Sequence, residues 1–217
     1  MFERHRKLAD SIKTFDEEKK EIFYSALNIH GHACGGMPMG FAAGLAALEA
    51  LDLPRQRDMD TVAVMEIGNA HAAGCFADGV QFATGCTFGK GVMRKDPKGK
   101  WAFRLIHKPT GRAVKVRIAN EVLDKAFAAP FITDYRLKGV KPSDIPAEVA
   151  DPGVTRPFGM DPSKAFIVEG PFDVDIPQVK PCFERVTCTG CGATVAENYA
   201  HYAEGEPYCV DCTPYGS

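Results

Sequence analysis

Residues 30–51 read HGHACGGMPMGFAAGLAALEAL, and they join a cluster of possible metal ligands to the start of a helix. His30, His32 and Cys34 place two imidazoles and a thiol within five residues. Pro38 suits the first turn of a helix, because its missing N–H needs no partner there, so we expect a helix from Pro38 to the end of the stretch. The free N–H groups at a helix start favour a thiolate, which raises nucleophilicity and metal affinity. The stretch therefore predicts a functional site, and capping histidines with a buried cysteine are the alternative.

The same helix carries small residues along most of its length, among them Gly40, Ala43, Gly44 and Ala47. Small side chains let two helix backbones approach closely. We therefore expect this helix to pack tightly against a neighbour, whether or not the packing serves a special role.

A second group of possible ligands follows a predicted buried strand at residues 61–67 (TVAVMEI). His71, Cys75 and Asp78 lie in a predicted helix over residues 70–82, where side chains three or four apart share a face. Cys86 comes next, in a glycine-rich loop. Together with the first cluster, these residues predict a mixed nitrogen, sulfur and oxygen site. With fewer than four protein ligands, such a site leaves a position for water or substrate, as catalytic zinc requires.

The loop at residues 85–91 (GCTFGKG) superficially resembles a phosphate-binding loop. The spacing between its glycines is one residue short of the nucleotide triphosphatase pattern, and Gly91 follows Lys90 where Ser or Thr is needed. This excludes a nucleotide triphosphate loop. Lys90 remains a candidate for binding an anionic group, with a solvated loop lysine as the alternative.

Helices and strands alternate along the rest of the first 130 residues. Thr14 and Glu17 fit a capping box for a helix that ends near His30 and Gly31. A β-hairpin is predicted over residues 101–107 and 112–118, and a short helix is predicted over residues 120–128. The pattern predicts an α/β or α+β fold with a mixed sheet.

Proline rises sharply after this region, and eight of the chain's 15 prolines lie between Pro142 and Pro181. Because proline lacks an N–H and fixes φ, we expect a largely extended connecting arm with one strand near residues 165–169. The predicted division is a core domain at 1–140, a proline-rich arm at 141–181 and a C-terminal domain at 182–217.

The C-terminal domain carries the strongest metal signal, Cys188-x-x-Cys191 and Cys209-x-x-Cys212. Two such pairs supply the four thiolates of a tetrahedral zinc site, and this site is coordinatively closed and therefore structural. In a module of roughly 30 residues, the metal would supply most of the folding free energy. Redox cysteines or disulfides are the alternative, and Cys182 is predicted to be a buried thiol outside the quartet.

Charge and hydropathy narrow the function classes and the location. The chain has 26 basic and 28 acidic residues, which argues against nucleic acid as a partner. The last 36 residues carry a net charge of −4, which favours a protein contact there. The chain has neither an apolar run long enough to span a bilayer nor the apolar segment of a signal peptide. We therefore expect a cytoplasmic protein with reduced cysteines and no membrane contact.

Three blocks of this sequence together resemble the FmdE family of formylmethanofuran dehydrogenase proteins. They are the run at 30–51, CFADGVQFATGCTFGKG at 75–91 and TGRAVKVRI at 110–118. The resemblance implies an α+β fold with a thioredoxin-like core, whose mixed sheet is flanked by helices, a C-terminal treble-clef or ribbon zinc finger, and a homodimer. It also maps the family's metal or active site onto five residues, with His30 and Lys90 at matching motif positions. The five are His32, Cys34, Cys75, Asp78 and Cys86.

Two functional interpretations follow. In the first, the core domain is a metal-dependent enzyme or an accessory protein with an oxidoreductase partner subunit. It holds zinc or another transition metal through His32 and the cysteines, and Asp78 or His30 handles protons. Its small-molecule substrate is, by resemblance only, a one-carbon carrier or a molybdenum or tungsten cofactor component. In the second, the protein is a non-catalytic zinc-finger adaptor. A third, weaker interpretation is thiol redox chemistry at Cys34, with Cys75 or Cys86 as the resolving thiol.

Overall fold

The computed structural model describes residues 1–69, 72–176 and 180–215 of the chain. The chain forms two compact units, Met1–Asp175 and Ile176–Ser217. The first unit is built on a five-stranded mixed sheet packed against helices, and the second contains short strands around a cysteine cluster. The predicted α+β class, with a mixed sheet flanked by helices and a C-terminal four-cysteine module, is confirmed.

The elements of the first unit follow one another in the order expected for an interleaved α+β chain. Its helices are α1 (Phe2–Asp10), α2 (Glu17–His30), α3 (Gly36–Ala50), α4 (Gly74–Thr84), α5 (Asn120–Phe127), α6 (Ala147–Thr155) and α7 (Pro162–Ala165). Its strands are β1 (Thr61–Met65), β2 (Met93–Lys95), β3 (Ala102–His107), β4 (Arg112–Ile118) and β5 (Phe166–Asp173). The strand order is β2-β1-β3-β4-β5; β1 and β2 are parallel, and the other neighbours are antiparallel.

The ends of α2 differ in how well the sequence predicts them. The cap at its start is Asp16, whose carboxylate accepts a hydrogen bond from the backbone N–H of Lys19, so the predicted capping box at Thr14 is wrong. The end at His30 is as predicted, because Gly31 adopts the left-handed conformation (φ 85°) that terminates a helix. Helix α1, for which no pattern was recognised, buries His5, Leu8 and Ala9.

Helices α3 and α4 pack with their backbones in contact, as the small residues of α3 predict. A Cβ atom added at Gly40 would overlap the carbonyl group of Phe76, and one added at Gly79 would overlap the carbonyl oxygen of Met37. At Gly44 the added atom would lie 2.7 Å from the Cβ of Ala83. This contact brings the start of α3 beside the start of α4.

Two apolar clusters hold the first unit together. One lies between the sheet and helices α3 and α4, where Met65, Phe76 and Phe103 are fully buried. The other joins α1, α2 and α3 around an aromatic group in which the rings of Phe23 and Phe41 lie 5.1 Å apart.

The proline-rich region is not the largely extended arm that the sequence predicts. It contains α6, α7 and β5, together with short 3₁₀ turns. Proline is tolerated in the first turn of a helix, which is where Pro162 stands in α7. Strand β5 pairs with β4 at the edge of the sheet, and Pro171 lies in this strand because an edge strand leaves N–H groups unpaired.

The second unit is made of two small ladders. Strand β6 (Arg185–Thr187) pairs with β7 (Thr194–Ala196), and β8 (His201–Ala203) pairs with β9 (Glu206–Tyr208). Across the described residues of both units, no helix combines the length and the apolar character needed to cross a membrane.

The glycine contact between α3 and α4 predicts an unequal response to alanine within one helix. Gly79→Ala should lower the free energy of unfolding by about 1–3 kcal/mol or more, because α3 must move away to admit the methyl group. Gly74→Ala, also in α4, meets no atom within 4 Å and should leave stability unchanged or raise it by up to ~1 kcal/mol. Urea unfolding of both variants measures the difference, and equal midpoints would show that the helices do not touch as described.

Candidate metal centres

Four side chains of the first unit converge at the start of α3 and α4. The ligand atoms of His30, His32, Cys34 and Cys75 all lie within 4.8 Å of one another. His30 is the last residue of α2, His32 and Cys34 lie in the turn between α2 and α3, and Cys75 is the second residue of α4. The left-handed Gly31 turns the chain back on itself, which puts the His30 and His32 rings 4.2 Å apart.

The environment of Cys34 favours its thiolate form. A hydrogen bond from the Cys75 thiol, followed by those from the backbone N–H groups of Met37 and Gly36, lowers the pKa of Cys34 although burial opposes this. The two N–H groups belong to the first turn of α3, so the predicted effect of a helix start on this thiol is present. The same hydrogen bond and burial raise the pKa of Cys75 to about 11, so Cys34 is the thiol of this pair that loses its proton more readily.

His30 is held between the thiols and a carboxylate. Its Nδ1 lies 2.8 Å from Oδ2 of Asp78, and its Nε2 lies 3.5 Å from Sγ of Cys34. Burial of the ring disfavours its charged form, but the hydrogen bonds to Asp78 and Cys75 prevail and raise the pKa of His30 to about 9. Asp78 therefore orients the His30 ring from behind, in the way that carboxylates support metal-binding histidines.

Other residues that the sequence singles out lie elsewhere. Cys86, a predicted ligand, is not part of the four-residue group: Gly85 ends α4 in the left-handed conformation, and the Cys86 thiol is buried 3.3 Å from the Thr61 hydroxyl. Lys90 Nζ donates to the carbonyl of Asp58 at 3.1 Å, and its predicted role in binding an anionic group stays a prediction. His71 lies outside the described residues.

His30 joins the ligand group. The sequence places it in a cluster of three possible ligands, and the enzyme interpretation gives it proton handling instead of metal binding. The signal was present in the sequence: the spacing His-x-His-x-Cys, with a glycine after the first histidine, allows all three side chains to turn toward one point. The partner across the fold, Cys75, was among the predicted ligands, and only the contact between α3 and α4 places it there.

The four-residue group opens onto a cavity of about 690 Å³. His32, Cys34 and Cys75 line this cavity, whereas the side chain of His30 is only 5% exposed. The group is therefore accessible to a small molecule on the side of three of its four donors.

The second unit gathers the four predicted cysteines. The sulfur atoms of Cys188, Cys191, Cys209 and Cys212 lie within 4.8 Å of one another. The backbone N–H of Cys209 lies 3.2 Å from Sγ of Cys188, and this hydrogen bond is the main reason that the pKa of Cys188 falls to about 6. A Cβ at Gly190 would lie 2.8 Å from that of Cys212, which explains a glycine at this knuckle. Cys182, expected to be buried, is half-buried beside Glu184.

Comparison with known proteins gives this arrangement a family. A family model described as "FmdE, Molybdenum formylmethanofuran dehydrogenase operon" matches residues 29–151, more than half of the chain. The chain belongs to the FmdE family. The matched residues include all four members of the core ligand group of this FmdE protein.

Two individual proteins are similar to this FmdE-family chain. A "Probable S-adenosyl-L-methionine-binding protein" of Archaeoglobus fulgidus is 31% identical in an alignment of 111 residues, and the alignment covers 49% of this chain and 29% of that protein. The chain thus spans less than a third of the length of that relative. The crystal structure of a tungsten formylmethanofuran dehydrogenase FmdE-like protein from Syntrophus aciditrophicus superposes with a TM-score of 0.54 at 22% identity. It covers 88% of this chain and 90% of the other, and this likeness shows the fold.

The carboxylate behind His30 predicts a loss of metal affinity in Asp78→Asn. Without the charged acceptor at Nδ1, the His30 ring loses its orientation, and we expect metal affinity at the core group to fall about 10–100-fold. Competition titration with a chelator, on protein whose four-cysteine group is already filled, measures this. Asp124→Asn, an exposed carboxylate on α5, is the matched control; the same affinity in both variants would contradict the role given to Asp78.

The four-cysteine group predicts a local response to metal removal. A chelator should make residues 180–215 sensitive to protease, because this small unit depends on its metal, while Met1–Asp175 resists cleavage through its apolar core. Limited proteolysis with mass analysis of the fragments tests this, and Cys182→Ser is the control that keeps all four ligands. Identical fragments with and without chelator would show that the unit folds without metal.

Proposed function

We propose that this FmdE-family protein is a metal-dependent accessory protein, linked to formylmethanofuran dehydrogenase or to molybdenum or tungsten cofactor metabolism. The observation that carries the proposal is the convergence of His30, His32, Cys34 and Cys75 within 4.8 Å at a cavity. The family name, which refers to a dehydrogenase operon, supports the link to that enzyme.

The donor set fits a transition metal, and zinc in the first place. Two imidazoles and two thiols suit zinc and other borderline ions, and the free N–H groups of α3 favour the Cys34 thiolate that such ions need. A zinc ion held by His32, Cys34 and Cys75 alone would keep an open position toward the cavity and would supply Lewis-acid activation of a substrate or of water. The second metal, zinc in the four-cysteine group of the second unit, has a structural role because four thiolates close its coordination.

The protein side chains divide the remaining work. His32, Cys34 and Cys75 line the cavity and act as ligands on its side. His30, buried and held by Asp78, stands beside them and can act as a fourth ligand or move protons at Nε2. Asp78 is half exposed, so the carboxylate that holds His30 is also in contact with solvent.

We also propose that the protein works in the cytoplasm as a homodimer beside an oxidoreductase partner subunit.

The second candidate function is a non-catalytic adaptor, and the surface of the second unit favours it. Tyr199 is 72% exposed and Tyr215 is 73% exposed in a segment with five acidic residues and one basic residue, a surface suited to a protein contact.

Metal content decides between the two functions. The purified protein should hold about two metal ions per chain, one for each ligand group, and His32→Ala and Cys34→Ser should each reduce this to about one. Cys182→Ser is the matched control and should keep both. We expect Cys86→Ser to keep both as well, because its thiol faces Thr61. Elemental analysis of all five proteins measures this, and one ion per chain throughout would leave only the adaptor.

A further inference from the structure

The cavity beside the core ligand group has the size of a small-molecule site. Its volume of about 690 Å³ falls within the range of about 300–1,000 Å³ that is usual for ligand pockets. It is bounded by the first turns of α3 and α4, by Trp101 and Ile118 at the sheet, and by α5 and α6 with the segments that follow them. The donors His32, Cys34 and Cys75 thus lie in the wall of a chamber much larger than one metal ion.

One wall of the chamber is an apolar helix face. Val122, Leu123, Ala126 and Phe127 of α5 line the cavity, and α5 has no buried residue. Phe127 remains 45% exposed although its ring packs edge-on against Trp101 at 6.0 Å. Burial of this apolar face is favourable, so a ligand with an apolar, ring-sized body would gain affinity by covering it.

Charged groups at the same cavity favour an anion. Among its Arg, Lys, Asp and Glu side chains are two arginines and one glutamate, Arg136, Arg156 and Glu148. Within the described chain, neither arginine forms an ion pair with a carboxylate; Arg136 instead donates to the carbonyl oxygen of Val140. A guanidinium is suited to bind a carboxylate through two parallel hydrogen bonds.

Arg156 follows a helix that contacts the chain beside the ligand group. A Cβ added at Gly153 of α6 would lie 3.4 Å from the backbone of Gly35, so α6 runs directly against the residue that follows Cys34. Arg156 begins the 3₁₀ turn immediately after α6. The cavity therefore combines an apolar wall, two arginine side chains and the metal-ligating side chains.

We propose that the cavity binds a small organic monoanion with an apolar, ring-containing body. The body lies on the α5 face, the carboxylate or sulfonate group pairs with Arg136 and Arg156, and the ligand approaches His32, Cys34 and Cys75. This inference rests on the proposed function, because it assigns a substrate class to the same site. Glu148 lines the same cavity, and its carboxylate would repel a dianionic phosphate ester more strongly than a monoanion.

Two fluorescent probes that differ mainly in charge test the proposal on the full-length protein. They are the monoanion 1-anilinonaphthalene-8-sulfonate and its neutral analogue N-phenyl-1-naphthylamine. We expect saturable binding of the anion, weakened about tenfold in Arg156→Gln and in Arg136→Gln, with the affinity for the neutral probe unchanged. Arg94→Gln, an exposed arginine of β2 outside the cavity, is the matched control and should bind both probes as the wild type does.

Substitution of the apolar wall gives an independent measurement. Leu123→Ser should weaken both probes, because it removes part of the α5 face, and circular dichroism checks that the variant folds. The proposal is overturned if the anion does not bind, if the neutral probe binds as tightly, or if both arginine variants bind like the wild type. It is also overturned if Leu123→Ser converts a dimer into a monomer and only the monomer binds the probe. The α5 face would then be the contact with a second copy of the chain and not a wall of a ligand site.

The same titrations on Cys34→Ser separate this inference from the proposed function. Arginine-dependent binding of the anion in this variant, together with one metal ion per chain in the wild type, would remove the metal-dependent function and keep the ligand class. The opposite result is that Cys34→Ser loses one of two metal ions and that anion binding by the wild type and by Cys34→Ser does not depend on the arginines. That result would keep the metal site and remove the ligand class.

Discussion

Backbone contact between α3 and α4 is the constraint on which the core site depends. Gly40 faces the carbonyl of Phe76, and Gly79 faces that of Met37, so neither helix can carry a side chain where they meet. With the helices this close, the turn before α3 and the first turn of α4 become neighbours. Donors that are some 40 residues apart in sequence, Cys34 and Cys75, then fall into one group with His30 and His32. A wider helix spacing would separate the two thiols and divide this group.

Hydrogen bonds then give the four donors different chemical characters. The N–H groups of the first turn of α3 favour a thiolate at Cys34, whereas Cys75 keeps its proton because it donates to that thiolate. Asp78 is hydrogen-bonded to Nδ1 of His30, on the side of the ring away from the thiols. The His30 imidazole thus lies between the Asp78 carboxylate at Nδ1 and the Cys34 sulfur at Nε2. A metal ion would enter a site in which the Cys34 thiol loses its proton more readily than usual and the His30 ring is held in position.

Features encoded within a few neighbouring residues could be predicted from the sequence, and those that depend on distant packing could not. The helix after Cys34, the β-hairpin and the C-terminal cysteine quartet each follow from local spacing. The choice of Cys75 over Cys86 could not be read in this way, because both are cysteines flanked by glycine-containing sequence. It depends on where α4 begins and ends: Cys75 opens the helix toward α3, and Gly85 turns Cys86 into the core. Helix α6 could not be predicted either, because the prolines of its region have the composition of an extended chain. In the structure, Pro142, Pro157 and Pro162 begin short helical turns, and Pro152 lies inside α6.

Strand β5 also shows how the sheet is limited in width. Strand β5 is an edge strand, because β4 is its one neighbour in the sheet, so its free backbone groups could pair with a strand of another molecule. Its side chains Ile167, Val168 and Phe172 are partly exposed. Pro171 interrupts that row of donors, and Glu169 places a charge within it. Both are devices by which natural proteins discourage intermolecular strand addition and amyloid-like growth. A residue that disfavours β-structure within a sheet therefore disfavours pairing of this edge with a strand of another molecule.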